Sequence, residues 1–251
     1  MQFTLISWIR ERENKMTSKT SSSRSCLENI KRIGTGLAFI LFPLVFVFAF
    51  AVHPGLLNPH MLSDQEVILR MHHNALLAFG HVLVLLDAAL LVVIALEFMR
   101  LLEGSSAAWI GFIGAAVAVL GAVALGAEKG AECLTLSALD TLPENQFAQM
   151  VSGLTPIFSH QGWTILTWGV VLIAVGIGIQ AIGLLKTHVI PRWQGALLLI
   201  GICLLGGPDG FEIVNLGASI LLAVALVSYG IQIIMKKDAY QGRQTNSLLP
   251  C

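Results

Sequence analysis

Six long stretches of nearly uncharged, apolar residues constrain this chain more than any motif does: Ile33–Val52, Asn74–Glu97, Ala107–Ala127, Gly162–Leu185, Trp193–Gly207 and Ile213–Met235. A hydrocarbon layer roughly 30 Å thick takes about 20 apolar helical residues to cross. Inside that layer each backbone N–H and C=O must be paired within its own segment, so such segments form helices. Composition agrees, with 55% of the 251 residues hydrophobic and 12% charged, against about 25% charged in a typical soluble domain. The expected fold is an all-α bundle of six transmembrane helices over residues 33–235, with tails at 1–32 and 236–251.

Lys and Arg gather on the cytoplasmic side of short loops. Threading six spans places the N-terminal tail, the second-to-third loop, the fourth-to-fifth loop and the C-terminal tail on one side. That side holds all of the 15 Lys and Arg except Arg70 and Lys129. Both termini are therefore expected in the cytoplasm, in a cell membrane of the prokaryotic inner-membrane type. Met1 to Arg32 alternates charge with the run Thr17–Ser25 and reads as a disordered or weakly helical tail. Its apolar patch Phe3–Ile9 is too short for a signal-peptide core and is followed by charges.

Local signals refine this layout. Pro43, near the middle of the first span, predicts a kink. The short fifth span runs into Gly206-Gly207-Pro208-Asp209-Gly210, so it either thins the bilayer or enters as a hairpin with the sixth. Ser63-Asp64-Gln65-Glu66 fits a capping box, which starts the second helix there and puts His72 and His73 on helix just outside the membrane. Thr141-Leu142-Pro143-Glu144 repeats the pattern. Behind it Phe147, Met150, Val151 and Leu154 recur at helical spacing, predicting a short external amphipathic helix on the outer surface or capping the bundle. Gly111, Gly114, Gly176 and Gly178 permit tight helix packing.

The histidines sort by side. His53, His60, His72, His73 and His160 fall at or above the external boundary, His81 a little below it, and His188 in the cytoplasm. Helix ends deliver His53, His73, Glu128, His160, Asp209 and Glu212 to the outer rim. Imidazole and carboxylate are ligands for zinc, copper and iron, and His is an axial ligand of haem b. A transition-metal ion or haem b at the external face is therefore the functional reading, beside a solvated acidic and His-bearing outer surface without a ligand, with His53, His73, His81, His160 and Glu128 as candidate ligands. His73 and His81 are eight residues apart, so one helix does not supply a chelating pair. Any site has to combine helices, and a haem would need axial ligands at matching depth.

Asp87 lies near the middle of the second span. An ionised side chain there costs at least roughly 2.5 kcal/mol, and such residues face the bundle interior. Asp87 is expected either to carry a proton or to hydrogen-bond a neighbouring helix, with Thr164, Thr167, Asn215 and Ser219 at matching depth. His81 and Asp87 share one polar flank of the helix, where Ala78 and Gly80 allow close approach. The flank is therefore expected to face protein, with Asp87 either joining two helices or, with His81, offering a proton or ion path.

The six-span layout, with Pro191-Arg192-Trp193-Gln194-Gly195 opening the fifth helix, resembles poorly characterised bacterial integral membrane proteins. That resemblance carries over no functional residue. Three functions are compatible with the sequence: a metal- or haem-binding membrane protein, a small permease or proton-coupled carrier using Asp87 and His81, and an assembly subunit acting through a membrane protein partner or a second copy of itself. No phosphate loop, nucleophile elbow or basic nucleic-acid patch is present, and no general base is paired with ligands as a metallohydrolase requires. The lipid bilayer is the one partner that composition dictates.

Overall fold

A computed structural model describes residues 2–53, 55–57, 63–158, 164–205 and 212–235, with side chains from Cys26 onward apart from those at 64, 67, 157–158, 164–165 and 167. The described residues form eight helices: α1 (Gln2–Ala51), α2 (Asp64–Met71), α3 (Ala75–Leu102), α4 (Ala108–Leu139), α5 (Glu144–Phe158), α6 (Thr164–Thr187), α7 (Arg192–Leu205) and α8 (Glu212–Met235). Among the described residues there is no strand.

Five of these carry segments long and apolar enough to cross a membrane: Cys26–Ala51, Ala75–Leu102, Ala108–Leu139, Trp168–Thr187 and Glu212–Met235. The expected sixth, α7, has 14 residues and reaches only about 21 Å at 1.5 Å per residue. It lies along α8, where Gln194 Nε2 donates to Ser228 Oγ at 2.7 Å and Gly201 faces Leu222. The link onward to α8 falls in residues 206–211, outside those described. α1 runs unbroken through Pro43.

The bundle is built for lipid. On α4, Ala118 and Ala122 are buried while Leu120 and Val123 are 62% and 64% exposed. Small residues inside and large aliphatics outside invert the pattern of a water-soluble helix, because the outward side chains meet hydrocarbon. The close approaches depend on glycine. A Cβ on Gly176 of α6 would overlap the Ala118 amide nitrogen and lie 2.6 Å from the Gly114 carbonyl oxygen. A Cβ on Gly230 of α8 would lie 2.6 Å from the Gly36 carbonyl oxygen of α1. Gly178, by contrast, faces only the far end of Leu199.

Polar and aromatic contacts complete the interior. Gln180 of α6, fully buried, donates from Nε2 to the Ala95 carbonyl of α3 at 2.8 Å and to the Gly111 carbonyl of α4 at 3.1 Å. Phe39 of α1 packs edge-on against Phe98 of α3 and Tyr229 of α8, at centroid distances of 5.3 and 5.0 Å.

The short helices cap the end where α1 finishes and α3 begins. Phe147, Val151 and Leu154 of α5 are buried with Ile68 of α2 and Leu139 of α4, as their helical spacing predicts, while Met150 stays 45% exposed. The hydroxyl of Thr141 donates to the Ala138 carbonyl at 2.7 Å, so it closes α4.

Candidate functional site

Two capping motifs bracket the histidine pair. Ser63 and Glu66 form the expected capping box, Ser63 N donating to Glu66 Oε2 at 2.8 Å. The helix it starts is α2, which ends at Met71. Asn74 then opens α3, its Oδ1 accepting from Leu77 N at 3.1 Å, as asparagine at an N-cap does. His72 and His73 therefore lie in the turn between two helices, not on one continuous helix. His73 adopts a left-handed backbone with φ 55°, uncommon outside glycine and held here by its surroundings.

What holds it is Asp140, at the end of α4. Its Oδ1 lies 3.0 Å from His72 Nδ1 and accepts from His73 N at 2.9 Å. From the first turn of α5, Glu144 brings Oε1 to 3.7 Å from His72 Nε2 and 4.0 Å from His73 Nε2. The His72 ring stacks on Phe147 at 3.7 Å and its side chain is nearly buried, while His73 and Glu144 are exposed. With its Nδ1–H given to Asp140, His72 keeps the Nε2 lone pair for a cation, the arrangement by which a carboxylate orients and strengthens a metal-bound imidazole. That Nε2 is buried and makes no hydrogen bond.

The ligand atoms of His72, His73 and Glu144 lie within 4.8 Å of one another. Tetrahedral zinc, with bonds near 2.0–2.1 Å, sets its ligands roughly 3.3 Å apart. The difference falls to the two exposed side chains, His73 and Glu144.

A second group sits at the same end, inside the bundle. His81 of α3 has Nδ1 3.5 Å from Glu132 Oε2 of α4. The same oxygen accepts from Lys129 Nζ at 2.8 Å, and Lys129 Nζ is 3.6 Å from Glu128 Oε1. His53, just past α1, has Nδ1 3.6 Å from Glu212 Oε1 at the start of α8. Burial, then the positive charge of Lys129, lowers the His53 pKa to about 4 against the smaller opposing pull of Glu132. His53 is therefore a neutral imidazole at pH 7.

The expected ligand set thus divides. His73 goes to the rim turn, while His53, His81 and Glu128 go to the inner group. His160 lies outside the described residues. Spacing hid His72, Asp140, Glu144, Lys129, Glu132 and Glu212 as members of either group. The i, i+4 repeat of Glu128 and Glu132 around Lys129 was the available signal for the inner one.

Asp87 is 1% exposed, and neither carboxylate oxygen makes a hydrogen bond. Of its expected partners, Asn215 and Ser219 are buried, but Ser219 Oγ donates to the Asn215 carbonyl at 2.8 Å, and the side chains of Thr164 and Thr167 are outside those described. As expected, His81 and Asp87 face protein. Gly80 faces α1 across a van der Waals contact with Ala49.

Five membrane-length apolar helices and a polar, histidine-bearing end define the class, a helical membrane protein. Comparison with known proteins finds no matching family model, curated protein or solved structure, so what the chain does has to follow from its own residues.

Proposed function

We propose that this protein binds a divalent transition-metal ion at the extracytoplasmic end of a multi-pass bundle, through His72, His73 and Glu144. The Lys and Arg asymmetry supports that orientation. The observation that carries the reading is the convergence of three ligand side chains around a buried imidazole nitrogen without a hydrogen bond, with Asp140 fixing the opposite ring nitrogen. Two imidazoles and one carboxylate suit zinc and its first-row neighbours, and suit calcium or magnesium poorly. Haem fits less well. The rings of His72 and His73 lie face over face, tilted by 33° with centroids 3.9 Å apart, too close together for an iron to sit between them.

Elemental analysis of the detergent-purified chain tests the reading. Near-stoichiometric zinc, copper or iron is expected in the wild type and loss of it in the His72→Ala/His73→Ala variant. Equal metal in both, or none in a wild type purified without chelator and supplied with zinc, contradicts it.

A second reading, a proton-coupled carrier, is favoured by Asp87. A carboxyl group buried mid-span without a hydrogen bond is costly to keep ionised, and loading and unloading a proton is the use such a group serves. Uptake lost in Asp87→Asn with the fold intact would support it; unchanged proton-linked flux would exclude it.

A further inference from the structure

We infer that the inner group is a second cation site, built from His81, Glu128 and Glu132, in which the Lys129 ammonium holds the place of a divalent transition-metal ion. Glu128 and Glu132 are one helical turn apart and project toward the same side of α4. Lys129 bridges them at 3.6 and 2.8 Å. His81 is 7% exposed. Its Nδ1 makes no hydrogen bond and points at the Glu132 oxygen that Lys129 holds, 3.5 Å away. One imidazole nitrogen and two carboxylates are a ligand set for the same class of ion as the rim site, although, with the Lys129 ammonium between the carboxylates, their ligand atoms do not all lie within the 4.8 Å that the rim ligands keep.

Charge points the same way. Glu128, Glu132 and the neighbouring Glu212 bring three carboxylates to one end of the bundle, and the Lys129 ammonium stands between two of them. Lysine is a compact point charge on a flexible four-carbon stem. It can leave the carboxylates as a metal ion enters, without moving a helix. The position is also apt: the rim turn and His81 lie along the same stretch of chain, about 10 Å apart on α3 at 1.5 Å per residue. Asp87 lies about 9 Å further down the same helix.

Zinc binding to the full-length chain in detergent tests the inference separately from the rim reading. Lys129→Met is expected to bind one more zinc equivalent than wild type, or to bind its second at least tenfold more tightly. That gain should persist when His73→Ala and Glu144→Gln remove the rim ligands, and disappear when Glu132→Gln is added. No gain in a folded Lys129→Met chain overturns the inference, whatever happens at the rim.

Should Lys129→Met fail to fold, the wild type still decides. Zinc should raise acetylation of Lys129 by an amine-reactive ester several-fold, read by mass spectrometry, with magnesium as the control. Unchanged labelling at zinc concentrations far beyond those that fill the rim site would overturn the inference.

Discussion

Asp140 Oδ1 lies 3.0 Å from the Nδ1 of His72, a residue 68 positions earlier in the chain, and joins the end of α4 to the turn between α2 and α3. The same oxygen accepts from the His73 backbone. One carboxylate therefore sets both the ring orientation of one proposed ligand and the left-handed backbone of the next. Replacing it by alanine should leave the ligands present but poorly aimed. Asp140→Ala is expected to weaken zinc binding tenfold to a hundredfold while keeping one equivalent per chain, measured by titration with a competing chelator.

His53 makes stability depend on pH with a definite sign. Its folded pKa of about 4 lies below the ordinary histidine value of 6.5, so the unfolded chain binds the proton more readily. The resulting stabilisation is complete above about pH 6.5, declines as pH falls toward 4, and changes no further below that. The shift corresponds to on the order of 3 kcal/mol at most. Melting temperature in detergent should fall between pH 7 and pH 4.5 in the wild type, and fall less steeply in His53→Gln. Parallel curves for the two proteins would show that His53 is not the titrating group.

The α4–α6 contact leaves no room for a methyl group at Gly176, where a side chain would press on backbone atoms of α4. Gly176→Ala is expected to cost roughly 1–3 kcal/mol through overpacking. Gly34, where a side chain would meet nothing within 4 Å, serves as the control, since Gly34→Ala should be neutral or slightly stabilising. Resistance to unfolding in SDS ranks the two variants against wild type.

Gln180 clamps α6 to two carbonyls on different helices. Gln180→Leu should cost about 1 kcal/mol, within the range measured for interhelical hydrogen bonds in membranes. The same unfolding assay checks it, and a wild-type midpoint in the variant would mean that the clamp adds nothing.

Most of the fold was legible because lipid imposes one rule along the whole chain. Four apolar runs became membrane-length helices, a fifth such helix begins within the run at Gly162–Leu185, and the Ser63 capping box forms as read. Length alone separated α7 from the others. The α2–α3 break was harder to see, because Asn74 competes with the box at Ser63 and each starts its own helix. The site was less legible for a related reason. Side-chain convergence is set by which helices pack together, and neither His72 meeting Asp140 and Glu144 nor His81 meeting Glu132 leaves a trace in local spacing. The burial of His81 and Asp87 was readable, since charge placed mid-span has to turn away from lipid.

X-ray absorption at the zinc edge of the zinc-loaded chain reads directly whether His72, His73 and Glu144 enclose one metal ion. The expected shell is two imidazole nitrogens with oxygen completing the set, at about 2.0–2.1 Å, and the imidazole signal is lost in His72→Ala/His73→Ala. An all-oxygen shell, or an imidazole signal unchanged in that variant, would contradict it.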